Sequence, residues 1–485
     1  MKKFLYIALA FMVLSGSCKK QLEEKVFSEL DPQTFLKTRD GIEAVLGSAY
    51  SFEANMTGEN TKFMLAIEDE PTDIMWQTGG GENGFAIHFI NFTWDPSISR
   101  FHDIMWLPYF RAIRDANAVL DEVDNAEITA SQKESYKNEA RFVRVAAYYR
   151  LYNLFGPVPI RKSNKDPLSV PRPSDDDMKK FIETELLEII PKLPAPGSEP
   201  AYGRAHSAAA RSFLMRFYLN TRQWQKSADQ AKAIIDLNKY ALYPNYVNLF
   251  KVENERNNEF IWIKAANVNS TNINDWVSAA FPAGFARDPA SGITFLSTWR
   301  NFASQYRLLD VFYNSFAAAD KRKGLILTSY VNAAGQTISL LNNNDTRSLK
   351  YWPDPNAANG LHGNDVPVFR YADVLLSRAE ALNEINGPNA ESISLVNLVR
   401  ARAELPPVQL PGFPTKEEFR DHVLKERGWE FYSEGKRRED LIRMNRFISG
   451  AQARGKTAAQ PYKTLFPIPQ QALDADPQLT QNQGY

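Results

Sequence analysis

The sequence predicts a mostly α-helical fold: a scaffold of helical hairpins of the tetratricopeptide type that carries a loop-rich subdomain. Three observations support this prediction. Apolar residues recur at helical spacing in many segments of the chain. Several of these segments are joined in pairs by short connections, as stacked hairpins require, although no clean repeat of the tetratricopeptide signature is present. Two long stretches lack the helical pattern and contain glycine-rich or asparagine-rich sequence with aromatic residues.

The N-terminal residues have the layout of an export signal. Lys2 and Lys3 precede the apolar run FLYIALAFMVL at 4–14, and small residues then lead to Cys18, the only cysteine. The run is shorter than the roughly 20 residues that cross a bilayer, but it fits the apolar region of a signal peptide. This N-terminus resembles a bacterial lipoprotein signal. We predict a signal peptide at 1–17 and a lipidated tether at 18–30; the alternatives are a plain secretory signal with a chance cysteine, and a frayed domain edge.

The helices follow in order along the chain. Asp31-Pro32 is typical of a helix start, and Phe35, Ile42 and Leu46 continue from it at helical spacing. The same periodicity predicts further helices at 106–123, 131–154, 178–190, 207–219, 223–237, 371–385, 390–403 and 416–435.

Two stretches, 75–99 and 267–301, show no sustained helical periodicity. Loops of this length in a compact domain are usually functional or disordered, and their aromatic residues argue against disorder. We therefore predict a helical N-terminal part at 31–264, a loop-rich insert at 265–365 and a helical C-terminal part at 366–485.

Composition excludes some classes of function. The chain has 57 basic and 57 acidic residues, so it lacks the basic excess of a nucleic-acid-binding protein. No segment after the first 14 residues is long and apolar enough to span a membrane. With one cysteine there is no disulfide within the chain, and stability must come from core burial.

Catalytic motifs do not occur in the sequence. The chain has no HExxH pair, no GxSxG elbow and no glycine loop ending in GK[ST], so the glycines at 79–81 are read as a turn. The histidines are scattered at 88, 102, 206, 362 and 422. We therefore predict no metal, no cofactor and no enzymatic activity.

An acidic run and an asparagine-rich run contain possible ligands for a cation. Glu68, Asp69, Glu70 and Asp73 could act as paired glycosidase carboxylates or bind a hard cation. The favoured interpretation is a solvated loop in which Asp73 caps a helix. The run NNND at 342–345 is interpreted as a turn before it is considered as a calcium site.

Eight segments in fixed order carry a family resemblance. They read PQTFLKTRDGIEAVLGSAY, WLPYFRAIRDAN, NEARFVRVAAYYRLYNLFGPVPI, YGRAHSAAARSFLMRFYL, VPVFRYADVLLSRAEALN, NLVRARAEL, ERGWEFYSEGKRREDLIRMNRF and LFPIPQQALDADPQLTQNQGY. Together, behind the signal, they resemble the SusD/RagB family of nutrient-uptake outer-membrane lipoproteins of the Bacteroidetes, over almost the whole chain.

This resemblance implies a function. A lipid such as palmitate on Cys18 would anchor the protein to the cell outer membrane, facing the exterior. The body would cover a SusC-like TonB-dependent transporter, and its ligand-facing loops would present an oligosaccharide for uptake. Two alternatives remain open: the same fold binding a peptide or glycopeptide, and a surface glycoside hydrolase.

The charged residues within these segments are expected to be structural. We predict that Arg370, Glu380, Arg427 and Glu434 bridge helices at the edge of the core. Glu434 is also four residues from Arg438, a spacing that favours an ion pair along one helix.

The candidate ligand-binding residues are Trp76, Trp276 and Trp299, with Phe281 as a further ring and Arg287 as a polar partner. All lie in the two irregular stretches, and flat rings are suited to the apolar faces of sugars. The alternative for each ring is that it packs the loop against the body. Three other tryptophans lie on periodic segments and are expected in the core: Trp106, Trp262 and Trp429.

Overall fold

The computed structural model describes residues 35–57, 60–77, 79–302, 305–357 and 361–485. The predicted signal peptide, Cys18, the tether and the Asp31-Pro32 helix start lie outside these ranges. Helices dominate the described residues, which confirms the mostly α-helical class. The α-helices are α1 (Arg39–Ala54), α2 (Asn60–Asp69), α3 (Asn83–Asn91), α4 (Leu107–Glu122), α5 (Ala130–Phe155), α6 (Asp175–Ile189), α7 (Ser207–Asn220), α8 (Trp224–Ile235), α9 (Trp276–Ala280), α10 (Asp310–Ser315), α11 (Tyr371–Asn386), α12 (Ala390–Arg402), α13 (Lys416–Phe431), α14 (Arg437–Arg443), α15 (Phe447–Ala453) and α16 (Gln470–Ala475).

The long helices lie close to their predicted positions because apolar periodicity and capping residues indicate the same helix bounds. Side chains of Thr129 and Thr415 cap α5 and α13 in capping boxes. Helix α13 ends earlier than predicted, since Ser433 (φ 59°) and Gly435 (φ 64°) take up the left-handed conformation. Consecutive helices pack in pairs, as a hairpin scaffold requires: α4 on α5, α7 on α8, and α11 on α12.

The strands are short. They are β1 (Met75–Gln77), β2 (Phe260–Lys264), β3 (Phe285–Arg287), β4 (Tyr306–Leu308), β5 (Ile326–Leu327), β6 (Ser329–Asn332), β7 (Thr337–Ser339), β8 (Arg347–Ser348) and β9 (Val366–Arg370). Antiparallel pairs join β1 with β4, β2 with β9 and β5 with β8, while β3, β6 and β7 form one small sheet. The β2–β9 pair places Lys264 opposite Val366, so the segment between them leaves and rejoins the scaffold at one place. The predicted division into three parts stays a prediction.

The stretch 75–99, which shows no sustained helical periodicity in the sequence, contains helix α3. Its sequence, NGFAIHFIN, is apolar on most sides, so it shows little contrast between two faces. No helix within the described ranges is long and apolar enough to cross a membrane.

The prediction that charged residues of the family segments bridge helices is confirmed, but these residues lie deep in the core and not at its edge. Arg370 donates hydrogen bonds to the carboxylates of Glu259, Glu430 and Glu434, and all four side chains are fully buried. Arg438 does not pair with Glu434 along the helix; it donates to the carbonyl oxygen of Thr464 at 2.5 Å.

In the acidic cluster Glu68, Asp69 and Glu70 are buried and Asp73 is half-buried, so the prediction of a solvated loop is wrong. Glu68 pairs with Arg150 at 2.6 Å, and burial raises the pKa of Asp69 to about 7 and that of Glu70 to about 8. Asp73 forms two hydrogen bonds with the guanidinium of Arg437 and caps no helix. Glu68 therefore joins α2 to α5, and Asp73 joins the segment after α2 to α14.

Candidate ligand-binding surface

Trp76 lies in the middle of β1, opposite Arg307 in β4. Its indole is half-buried, and its Nε1–H donates to the carbonyl oxygen of Asn344 at 2.9 Å. The guanidinium carbon of Arg307 lies 6.0 Å from the centroid of the Trp76 rings, and Arg307 pairs with Asp345 at 3.0 Å. The ring is therefore fixed in place with polar groups around it.

The turn at 342–345 supports this tryptophan. Its residues Asn342 and Asn344 have positive φ values of 70° and 50°, which confirms the predicted turn. The backbone N–H of Asn344 donates to the carboxylate of Asp310 at 2.8 Å, and the N–H of Asp310 donates to the Asn344 side chain at 2.9 Å. Next to these two hydrogen bonds, Val311 on α10 is 67% exposed. Asn344 and Val311 thus add an amide and an apolar contact to the surface near Trp76.

A second aromatic cluster surrounds Trp299. This half-buried ring stacks on Phe281 at 5.8 Å between centroids, and Phe295 meets it edge-on at the same distance. The indole N–H donates to the carbonyl oxygen of Asp354 at 3.0 Å. Phe281 in turn stacks on Phe285 at 4.9 Å. The partly exposed Trp299 is thus the outer ring of a stack whose inner members are buried.

Two predicted ligand contacts are corrected by their burial. Trp276 is 1% exposed: it stacks on Tyr306 at 5.4 Å, and its N–H donates to the carbonyl oxygen of Ser348. Phe281 is fully buried. Both rings lie beneath the surface, where a ligand cannot stack on them, so the alternative of packing the loop against the body applies to them.

Helix α9 connects the two clusters. Trp276 at its start stacks on Tyr306, the residue that pairs with Gln77 next to Trp76. Phe281 follows its last residue and stacks on Trp299. Arg287 is exposed on β3, the strand that begins with Phe285. Trp299 and Phe281 are therefore in direct contact. Trp76 is connected to them only indirectly, through the β1–β4 pair, Tyr306 and helix α9.

Sequence reasoning missed Arg307, Asp310 and Asn344 as members of this surface. Asn344 is 268 residues from Trp76 in the chain. The asparagine run signals a turn, but nothing in the sequence indicates where that turn packs. Of the tryptophans predicted in the core, Trp106 and Trp262 are buried. Trp429 is half-buried, and its indole N–H donates a hydrogen bond to the hydroxyl of Ser315.

The described residues contain no group of three metal-ligating side chains. Glu70 lines a cavity of about 10 Å³, which is at most about the size of one water molecule. Its raised pKa therefore occurs where no substrate has room to reach it.

The comparisons with known proteins agree with this architecture. The family model described as the SusD family matches residues 220–485, and the one described as "Starch-binding associating with outer membrane" matches 22–219. SusD-like protein P25 of Formosa agariphila is 26% identical, with 99% of each chain covered. The starch-binding protein SusD of Bacteroides thetaiotaomicron is 25% identical, covering 100% of this chain and 99% of that one.

Solved structures share the fold. A laminarin-binding SusD-like protein superposes with a TM-score of 0.77 at 24% identity, over 93% of this chain and 100% of that one. Surface glycan-binding protein A from Bacteroides thetaiotaomicron, in complex with laminarihexaose, gives 0.75 at 21% identity, over 92% and 99%. With the family model matching more than half of its length and the fold shared along nearly all of it, this chain belongs to the SusD family.

Proposed function

We propose that this protein binds an oligosaccharide at the cell surface and delivers it to a SusC-like TonB-dependent transporter. The observation that carries the proposal is the fixed, half-buried Trp76 with Arg307, Asp310 and Asn344 around it. A sugar ring offers a face of C–H groups to an aromatic ring and a rim of hydroxyls to polar side chains. Because the indole is already held by Asn344, little side-chain freedom is lost on binding.

The relatives support a glycan as the ligand. One is named a starch-binding protein and another a laminarin-binding protein, and a third was solved with laminarihexaose. Trp299 provides a second half-buried ring and Arg287 an exposed cation, and both belong to the same proposal. In this proposal binding is non-covalent and the ligand is not cleaved: Glu68, Asp69 and Glu70 are buried, and the cavity beside Glu70 has a volume of only about 10 Å³.

Binding of a panel of oligosaccharides and peptides by calorimetry tests the ligand class. A stacked ring contributes about 2 kcal/mol, so Trp76→Ala should weaken the best ligand about thirtyfold without changing the melting temperature. Trp224→Ala is the matched control, because this half-buried tryptophan lines a different cavity. Unchanged affinity in both Trp76→Ala and Trp299→Ala would place the site elsewhere, and tighter binding of peptides would favour the peptide alternative.

Location and delivery need separate tests. Cys18→Ala should release the protein from the outer-membrane fraction, because the proposed anchor is the lipid on that thiol. Purification of the wild-type protein in mild detergent should recover a large barrel protein from cells that express the transporter. Persistent outer-membrane partition of Cys18→Ala would contradict the anchor, and absence of the barrel would contradict delivery.

A further inference from the structure

Helix α10 links Trp76 to a second tryptophan at the molecular surface, Trp429 on α13. At the start of the helix, Asp310 exchanges two hydrogen bonds with Asn344, the residue whose carbonyl oxygen holds the Trp76 indole. At its end, the hydroxyl of Ser315 accepts the indole N–H of Trp429 at 2.9 Å. Hydrogen bonds at the two ends of one helix therefore connect the two indoles.

Trp429 is held in the same way as Trp76. Its indole is half-buried, and the Ser315 hydroxyl that fixes the N–H itself donates to the carbonyl oxygen of Phe312 at 2.6 Å. The ring packs on the buried Phe316, at 6.0 Å between centroids. A ligand that contacts the exposed part of such a fixed indole removes little side-chain freedom from the protein.

The surface between the two indoles combines apolar and polar groups. Val311 is 67% exposed and lies four residues before Ser315, so the two side chains share one face of α10. Asn314 is also exposed on this helix, and Lys425 is exposed on α13 four residues before Trp429. The C–H groups of a sugar can contact Val311 and the indole, while its hydroxyls pair with the amide and the ammonium group.

The spacing of the two rings sets the size of a ligand that contacts both. Helix α10 rises about 7.5 Å from Asp310 to Ser315, and the indoles are attached at its opposite ends. A single sugar therefore covers one of the two rings, whereas a chain of several sugars can follow the helix from Trp76 to Trp429.

We propose that the oligosaccharide bound at Trp76 continues along α10 and stacks on Trp429, so that the ligand is a chain of several sugars and not a mono- or disaccharide. The extension rests on the proposed function, because it continues the surface around Trp76. Once the first ring is engaged, contact with the second is an intramolecular step, so it raises the affinity of long chains only.

Calorimetry with a short and a long member of two glucan series tests the extension: maltose with maltoheptaose, and laminaribiose with laminarihexaose. In the wild-type protein the long member of the series that binds should bind at least about tenfold more tightly than the short one. Trp429→Ala should weaken the long member about tenfold and change the short one by less than about twofold. Trp76→Ala should weaken both, since ligands of either length contact that ring.

A long chain also gains affinity because it can bind in several registers. This gain persists in Trp429→Ala, so only the difference between the two proteins is assigned to the ring. Val311→Asp is a second test, and it leaves the core intact because the side chain is mostly exposed. It should weaken the long member severalfold. Leu187→Asp is the matched control, at a residue 47% exposed on α6, which packs on α5 and α7, and it should change neither affinity.

Melting temperatures are measured for every variant, and Val311→Asp decides the question if Trp429→Ala does not fold. Full affinity for the long member in both folded variants would overturn the extension and leave Trp76 as the site. Equal weakening of short and long members by Trp429→Ala would also overturn it, because the ring would then act on the Trp76 surface through the fold. Absence of binding by both series in the wild-type protein would contradict a glucan as the ligand of the proposed function, and the extension with it.

Discussion

Arg370 and Glu434 form a doubly hydrogen-bonded ion pair, at 3.0 and 2.8 Å, with both side chains completely excluded from solvent. They come from β9 and from the turn after α13, so the pair joins two separate pieces of the scaffold. Glu430 and Glu259 contact the same guanidinium, and Lys350 contacts Glu434 at 2.5 Å. A buried network of this kind depends on every partner being present.

Arg370→Met should therefore lower the free energy of unfolding by about 3–5 kcal/mol, because it leaves carboxylates buried without their cation. Chemical denaturation measures the loss. Arg39→Met is the matched control, since its pair with Glu43 is exposed and should contribute little to stability. Equal losses in the two variants would contradict the role given to Arg370.

Phe281→Ala should destabilise the protein by about 3–5 kcal/mol, because the fully buried ring would leave a cavity between Phe285 and Trp299. The reference is Trp76→Ala, for which we expect little change in stability. Thermal and denaturant unfolding of the two variants check this contrast. A stability loss in Trp76→Ala as large as that in Phe281→Ala would place Trp76 in the core.

One amide of the C-terminal tail bridges two segments of the body. The side chain of Asn482 donates to the carbonyl oxygens of Phe155 and Phe466, at 2.9 and 2.8 Å. Asn482→Ala removes both bonds and the acceptor of the Arg172 guanidinium, and should cost about 1–3 kcal/mol. Hydrogen exchange of the last turn of α5 should rise with it. Gln478→Ala, at an exposed tail position, serves as the control and should change neither.

Stability should fall in acid partly because of His362. Burial lowers the pKa of this fully buried imidazole from 6.5 to about 4. Between these two values the unfolded chain binds a proton that the folded protein does not, so stability falls as pH falls through the window. The slope from this residue is at most about 1.4 kcal/mol per pH unit.

His362→Asn keeps a side chain that can accept from the N–H of Asp354, as the imidazole Nδ1 does at 3.1 Å. Denaturation curves at a series of pH values between about 4 and 6.5 should show a shallower slope for this variant than for the wild-type protein. Parallel slopes would mean that His362 is not a source of the acid sensitivity.

Helical periodicity predicted most of the long helices, since core-facing residues repeat where one face is buried. Helix α3 was missed because its sequence has little contrast between faces. Burial of Glu68, Asp69 and Glu70 was missed because their charges suggest solvent, and the cation that pairs with Glu68 lies 82 residues away at Arg150.

The candidate surface was predicted only in part. Aromatic residues in irregular sequence indicated the correct stretches, but composition cannot distinguish Trp76, which has an exposed edge, from Trp276, which lies beneath Tyr306. The distinction depends on the pairing of β1 with β4 and on the position of the 342–345 turn, and both are long-range contacts.

The pairing of β2 with β9 has a consequence for how such a protein can change. Because Lys264 in β2 is paired with Val366 in β9, the segment between them forms a long loop whose two ends meet on the scaffold. The free energy of closing such a loop depends only weakly on its length. The intervening hundred or so residues can thus gain or lose residues in their exposed loops at little cost in free energy, while Lys350, which contacts Glu434, fixes their buried part to the scaffold.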